Sequence, residues 1–296
     1  MTGNSEVIHF GRKTPNPASW RPRPQGRDAD FASKRISKLL AGTLELIALL
    51  PDNNVEMLER LLSVFDLTRA LDLLERLSQH RTHSWALSGG LAIELHVLRA
   101  GLTPRKRSLN DMDFIATGFA DIPRTLAKNF LFRHVHPEEV PGRIMVQFVD
   151  METKLRIDIF RAAGASTTRA IQLALPTGEM RIVAVENLIA RTARLSLDLA
   201  DGIPVPAKHA EDFLRLSELI ASPEVQPAWG DHRKPEHPLV FRDAMDMLLE
   251  LIQNRKDLLI VPEYSKDVTA ECSRCVPTSA FPLADLQVIF SALGYC

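Results

Sequence analysis

Asp111 and Asp113 stand two residues apart in Asp111-Met112-Asp113-Phe114-Ile115-Ala116, and a third aspartate, Asp158, sits inside Leu155-Arg156-Ile157-Asp158-Ile159-Phe160. Successive side chains of a strand alternate faces, so Asp111 and Asp113 project to one side about 7 Å apart while Met112 and Phe114 turn inward. Asp158, flanked by Ile157 and Ile159, can reach that same face from a neighbouring strand. Carboxylates gathered in this way repel one another, and bound divalent cations remove the cost. Oxygen-only donors select a hard cation, Mg²⁺ or Mn²⁺.

Upstream lies the complementary half. Trp85-Ala86-Leu87 is a short apolar run broken at Ser88-Gly89-Gly90, after which Leu91, Leu95 and Leu98 keep helical spacing to about Arg99. Glycine lets a backbone approach a phosphate closely, and the helix that follows presents free N–H groups and a positive dipole end. The Ser88 hydroxyl adds one donor. A glycine pair alone is an ordinary strand-to-helix turn. Joined to an Asp-x-Asp strand and a third strand carboxylate, it is an arrangement for holding metal ions against phosphate.

Apolar-Gly-Gly, then Asp-apolar-Asp-apolar, then apolar-Asp-apolar resembles the nucleotidyltransferase superfamily built on the DNA polymerase β-type palm. Within it the sequence is most similar to the AbiEii/AbiGii toxin group, whose members open with Gly-Gly-x-Ala and a His or Tyr shortly after. Here those positions are Gly89-Gly90-Leu91-Ala92 and His96. The group carries an Arg shortly before its Asp-x-Asp, matched by Arg107, and a basic residue followed by Asp in a later helix, matched by Lys208 and Asp212 in Lys208-His209-Ala210-Glu211-Asp212. A lysine common in the group's preceding helix is Arg191 or Arg194 in this chain. The stretch from Gly90 to Asp111 is longer than the superfamily's usual spacing, and Leu109-Asn110 stand where a hydroxyl residue is more usual.

The resemblance implies metal-assisted transfer of a nucleoside monophosphate from an NTP to a hydroxyl acceptor. Asp111, Asp113 and Asp158 would be the catalytic and metal-holding residues. Ser88, Gly89, Gly90, Arg107, Lys208 and Asp212 would bind the nucleotide. The acceptor would be a tRNA or other RNA 3′ end, or a protein hydroxyl, and the role that of the toxin in a toxin–antitoxin pair, with an antitoxin as a further partner. The alternative is a non-catalytic protein on the same fold that binds a nucleotide or a partner.

Other residue groups carry weaker chemistry. Cys272-Ser273-Arg274-Cys275 has zinc-knuckle spacing and Cys296 could be a third ligand, but a structural zinc site needs four, commonly as two pairs. His134 and His136 lie beside Glu138 without a further ligand motif and read as surface histidines. Arg105-Lys106-Arg107 is a short basic cluster beside the aspartates, a solvated loop or a phosphate contact.

The elements that must position these residues follow from periodicity. Residues 1–30 are rich in proline and basic side chains and too poor in apolar ones to offset ordering, so a disordered tail is expected there. Residues 31–80 read as helices, with Pro51 ending the first and Asn53 with Glu56 forming a capping box for the next. Residues 81–183 hold the palm: strands at 85–87, 111–117, 132–135, 144–149 and 154–160, a helix at 121–130, and a hairpin around Pro176-Thr177-Gly178. A helical domain is expected over 184–256, from helices at 185–199, 207–220 and 239–254, and 257–296 reads as irregular.

The fold class is therefore α+β, a mixed sheet with flanking helical segments. The chain has 296 residues, 45% hydrophobic and 25% charged, which is the composition of a globular protein of one or two domains. Its net charge of −1 means that any nucleic-acid surface must be local. No apolar run approaches the roughly eighteen residues of a membrane span, and no signal-peptide core opens the chain. Three cysteines, an odd number, point to a reducing cytoplasm.

Overall fold

The hydrophobic alternation around the aspartates is realised as a seven-stranded mixed sheet. The computed structural model describes residues 54–106, 108–137, 144–150, 152–175 and 178–261. The basic tail, the first expected helix, Asn53, Arg107, Glu138 and all three cysteines lie outside the described residues. In chain order the elements are α1 (Asn54–Leu61), α2 (Val64–Ser78), β1 (Ala86–Leu87), α3 (Gly89–Arg99), β2 (Asp111–Ala116), β3 (Phe130–Pro137), β4 (Ile144–Asp150) and β5 (Arg156–Arg161). There follow β6 (Ile171–Leu175), β7 (Gly178–Ile182), α4 (Val185–Ser196), β8 (Val205–Pro206), α5 (Ala207–Ser217), α6 (Ser222–His232), α7 (Phe241–Asn254) and β9 (Leu259–Ile260).

The strand order is β3-β4-β5-β2-β1-β7-β6, with β8 and β9 forming a separate parallel pair. β2 runs parallel to β5 and antiparallel to β1, which in turn runs parallel to β7. This is the expected α+β class. In β2 the buried residues are Met112, Phe114, Ile115 and Ala116, and in β5 they are Ile157 and Ile159, so the aspartates occupy the opposite face from the inward-turned Met112, Phe114, Ile157 and Ile159. Helix α4 packs against α3, α5, α6 and α7, and α3 also packs against β2.

Two arginines of α2 tie that helix to the sheet, Arg69 to the segments that lead into β2 and β5 and Arg76 to the end of β4. Arg69 donates from Nε to the Thr153 carbonyl (2.7 Å), from Nη1 to the Leu109 carbonyl (3.1 Å) and from Nη2 to the Lys154 carbonyl (3.3 Å). Thr153 and Lys154 form the turn between β4 and β5, where Lys154 has φ +58°, and Leu109 precedes β2. Arg76 pairs with the buried Asp150 and with Glu152 at 2.7 Å.

Several elements differ from the sequence expectation. The helix expected at 121–130 is replaced by two short 3₁₀ turns, Phe119–Asp121 and Arg124–Lys128, because Pro123 between them is held at φ −66°, ψ 130°. Phe130 already belongs to β3. The helix at 185–199 ends at Ser196 and tightens into a 3₁₀ turn, Leu197–Asp201, capped by Gly202 at φ +73°. The helix opened by the expected capping box ends at Leu61, since the Ser63 side chain accepts from the Asp66 N–H and starts α2 anew. No helix among the described residues is long and apolar enough to cross a membrane.

Candidate active site

Asp113 and Asp158 are register partners on the neighbouring parallel strands β2 and β5, and Asp111 is the register partner of Arg156. Arg156 Nη2 donates to Asp111 Oδ2 at 3.1 Å. Gln147, on the next strand and opposite Asp158, donates from Nε2 to Asp158 Oδ1 at 2.6 Å. Its Oε1 is buried without a hydrogen-bond partner among the described residues. An acid whose Oδ1 is already engaged offers Oδ2 for further chemistry.

The electrostatics follow from this crowding. Burial, then the charge of Asp111, pushes the Asp113 carboxyl up to about 6, against the pull of Arg191, Lys208 and Arg156. Burial, then Asp113 and Asp111, pushes Asp158 up to about 7, while the Gln147 hydrogen bond and Arg156 act the other way.

Gly89 accounts for how close the loop lies to this pair. It sits at φ +65°, and a Cβ added there would fall 1.7 Å from Asp113 Oδ2. The Ser88 N–H donates to the Asp113 carbonyl at 2.8 Å, so loop and strand are joined through backbone as well. Only glycine allows the Asp113 carboxylate to lie against the first residue of α3.

Five of the residues nominated from sequence line a single cavity: Gly89, Gly90, Asp113, Lys208 and Asp212. Arg191 completes it. Ser88 is buried, and its hydroxyl accepts from Arg191 Nη1 at 3.1 Å instead of capping α3. The Arg191 guanidinium lies 4.5 Å from the centroid of the Phe160 ring. His209, on the same cavity wall, is pushed down to about 3 by burial and by Lys208 and Arg191, so it is neutral at ordinary pH. His96, part of the family-like opening, is buried and its Nε2 lies 2.8 Å from the Val183 carbonyl, a link between α3 and the chain after β7.

Sequence reasoning missed Gln147 and Arg156 because a lone Gln or Arg in a strand carries no spacing signal; their register opposite Asp158 and Asp111 marks them. Arg191 was visible only as the stand-in for a family lysine.

The donor set suits a hard divalent cation: Asp113 and Asp158 are adjacent and half-buried, Asp113 raised by burial and the charge of Asp111, Asp158 by burial and the charges of Asp113 and Asp111. Asp111 is engaged by Arg156, and among the described residues no group of three or more His, Cys, Asp or Glu side chains is placed to hold a metal ion as it stands. Cys272, Cys275 and Cys296 lie outside the described residues.

No protein-family profile matches the chain, and no curated protein matches it. Among solved structures it is similar to the antibiotic-resistance factor ANT(2'')-Ia, at 17% identity over 64% of this chain and 100% of that one, with a TM-score of 0.36. It is also similar to an antigenic nucleotidyltransferase-like protein from Paracoccidioides brasiliensis (13% identity, 64% of this chain and 90% of that one, TM-score 0.34). A third is JHP933 from Helicobacter pylori (15% identity, 65% and 91%, TM-score 0.32).

Proposed function

We propose that the protein transfers a nucleoside monophosphate from an NTP to a hydroxyl acceptor, with the triphosphate held in the cavity between α3 and α5. The observation that carries this reading is the pairing of Asp113 with Asp158 beside a glycine that must be glycine. Both aspartates are raised above the usual carboxylate range.

Asp113 and Asp158 would hold Mg²⁺ or Mn²⁺, joined by Asp111 when it leaves Arg156. Held by these carboxylates, a divalent cation would supply charge neutralisation for the phosphates and for the attacking and leaving oxygens. The Gly89-Gly90 backbone, at the start of α3, offers N–H groups to phosphate oxygens. Lys208 and Arg191 supply positive charge to the departing pyrophosphate. The acceptor oxygen attacks the α-phosphorus as the bond to the bridging oxygen of the β-phosphate breaks. The acceptor's proton passes to Asp158 Oδ2, the oxygen that Gln147 leaves free.

An RNA 3′ end is the first acceptor we infer, because Lys106 lies exposed on the loop that leads to β2, next to Arg105, whose guanidinium pairs with Glu211 at 2.6 Å. A protein hydroxyl is the second. A toxin role would appear as growth arrest on expression that Asp113→Ala relieves. The Asp111–Arg156 ion pair favours one other reading, a nucleotide-binding protein without catalysis.

The test is incubation with each α-³²P-labelled NTP, Mg²⁺ or Mn²⁺ and a total RNA-plus-protein extract, wild type beside Asp113→Ala. Label on RNA or protein that vanishes in the variant is the expected result and names the acceptor class. Metal-dependent NTP binding without label transfer would replace the enzyme by the non-catalytic reading.

A further inference from the structure

A second cavity adjoins the first. Leu188, Arg191 and Leu195 of α4 wall both, and Phe160, Ser166 and Asn187 line the second. It lies along the sheet face of Asp113 and Asp158, where Ile115 and Phe160 are the next register partners on that face. Asn187 is only 1% exposed. Its Oδ1 accepts from Ser166 Oγ at 3.1 Å and from Arg169 Nη2 at 2.8 Å. A guanidinium can only donate, so the amide orientation is fixed and the NH₂ group faces the other way. That NH₂ is buried with no hydrogen-bond partner among the described residues.

A buried amide donor without an acceptor costs stability, and such groups in folded proteins are accounted for by a ligand or water. Phe160 and the Arg191 guanidinium add a flat, cationic platform of the kind on which heterocycles stack. His232 also lines the cavity, with Nε2 3.4 Å from Ser166 Oγ, and burial with the charge of Arg191 keeps it neutral. The cavity is thus polar at one wall, planar at another, and free of a charged acid among its lining side chains.

We propose that this second cavity is a nucleobase subsite in which the Asn187 side-chain NH₂ donates to a ring nitrogen or carbonyl oxygen of the base. The proposal rests on reading the adjoining cavity as the triphosphate site, and it makes Asn187 a specificity-determining residue. The base can belong to the NTP or to the 3′-terminal nucleotide of an RNA; the chemistry is the same.

The experiment measures equilibrium binding of the four NTPs, of tripolyphosphate and of short oligoribonucleotides differing in the 3′ base, with Mg²⁺ present. The preferred base is then replaced by deaza or deoxo analogues lacking one acceptor atom each. One analogue should weaken binding to the wild type about tenfold. Asn187→Asp keeps the Oδ1 that holds Ser166 and Arg169 and loses the NH₂, so the same analogue should cost that variant nothing. Discrimination among NTPs assigns the cavity to the donor nucleotide; discrimination only among oligoribonucleotides assigns it to the acceptor. Equal binding of all bases, an analogue penalty that persists in Asn187→Asp, or no binding at all overturns the subsite. Base-selective binding without label transfer would retain the subsite while overturning the catalytic reading. Label transfer without base selectivity would do the reverse.

Discussion

Asp158 shows what a single side chain decides. Its ordinary pKa is 3.8 and in the folded protein it is pushed up to about 7, chiefly by burial. Between those values the folded protein holds a proton that the unfolded chain has lost, so this group's contribution to stability is present at low pH and disappears as pH rises toward 7. The buried His209 and His232, pushed down to about 3, act in the opposite sense from pH 3 to 6.5, so the bare wild-type profile mixes the two. The difference between Asp158→Asn and wild type cancels the histidines and reads Asp158 together with its repulsion from Asp113. In EDTA that difference should grow from near zero around pH 4 to a gain on the order of 2 kcal/mol for the variant above about pH 7, and Mn²⁺ should shrink it by stabilising wild type alone. Urea unfolding across pH reads it, and a flat difference would remove the electrostatic account. Gly89 supplies a second residue-scale test. Gly89→Ala adds a positive-φ penalty of about 1–2 kcal/mol and a Cβ 1.7 Å from Asp113 Oδ2, so nucleotidyl transfer should fall at least about a hundredfold. Gly101→Ala, also at positive φ but with no atom within 4 Å of its Cβ, should pay the backbone penalty and keep full activity. The three aspartates and the glycine pair were legible because chemistry fixes both their types and their spacing. Gln147 was not, since a hydrogen bond between register partners depends on pairing that no local pattern encodes.

Among the elements, α2 has no part in the chemistry yet holds the frame that carries it. Arg69 spans the β4–β5 turn and the residue that leads into β2, satisfying three backbone carbonyls with one side chain. Removing it strands those acceptors and frees the approach to Asp111. Arg69→Ala should therefore cost about 1.5–3 kcal/mol in urea unfolding and lower kcat with little change in KM. Arg69→Lys, which cannot fork to three carbonyls, should restore less than half of the stability. Unchanged stability in Arg69→Ala would show that α2 merely abuts the sheet. Among the described residues, helices α3, α4, α5 and α7 and strands β2, β4 and β5 overlap the ranges that the sequence predicts. The failures have physical causes. Pro123 divides a helix-like apolar pattern into two turns. Helix α6 was hidden by Pro223 in its first turn and Pro227 inside it, both discouraging signals; it forms because Val225, Ala228 and Trp229 are fully buried, and packing outweighs propensity.

At the scale of the molecule, the question is whether sheet and helices stand or fall together. Sequence periodicity separates a strand-rich segment over 81–183 from a helical one over 184–256, because a change from strands to helices is visible in a pattern whereas shared burial is not. In the folded chain one hydrophobic cluster runs without interruption from Leu58 of α1 through Leu87, Met112 and Ile157 of the sheet to Phe213, Trp229 and Leu248 of the helices. A residue in such a cluster cannot lose its neighbours without exposing those beyond it, so a single cooperative transition is expected. Two tryptophans report from its opposite parts. Trp85 precedes β1 and packs against Phe114 of β2, with ring centroids 5.9 Å apart. Trp229 of α6 packs against Phe241 of α7 at 5.6 Å and donates from Nε1 to the Pro238 carbonyl at 2.9 Å. With Trp20 replaced by Phe, variants retaining only Trp85 or only Trp229 should each lose about 1–3 kcal/mol. Within either variant, fluorescence and far-ultraviolet circular dichroism should give the same urea midpoint. A tryptophan signal that changes at a different denaturant concentration from the backbone signal would mean that sheet and helices unfold separately. The cleft between α3 and α5 would then be a hinge as well as a site, and NTP binding should raise the later midpoint toward one shared value.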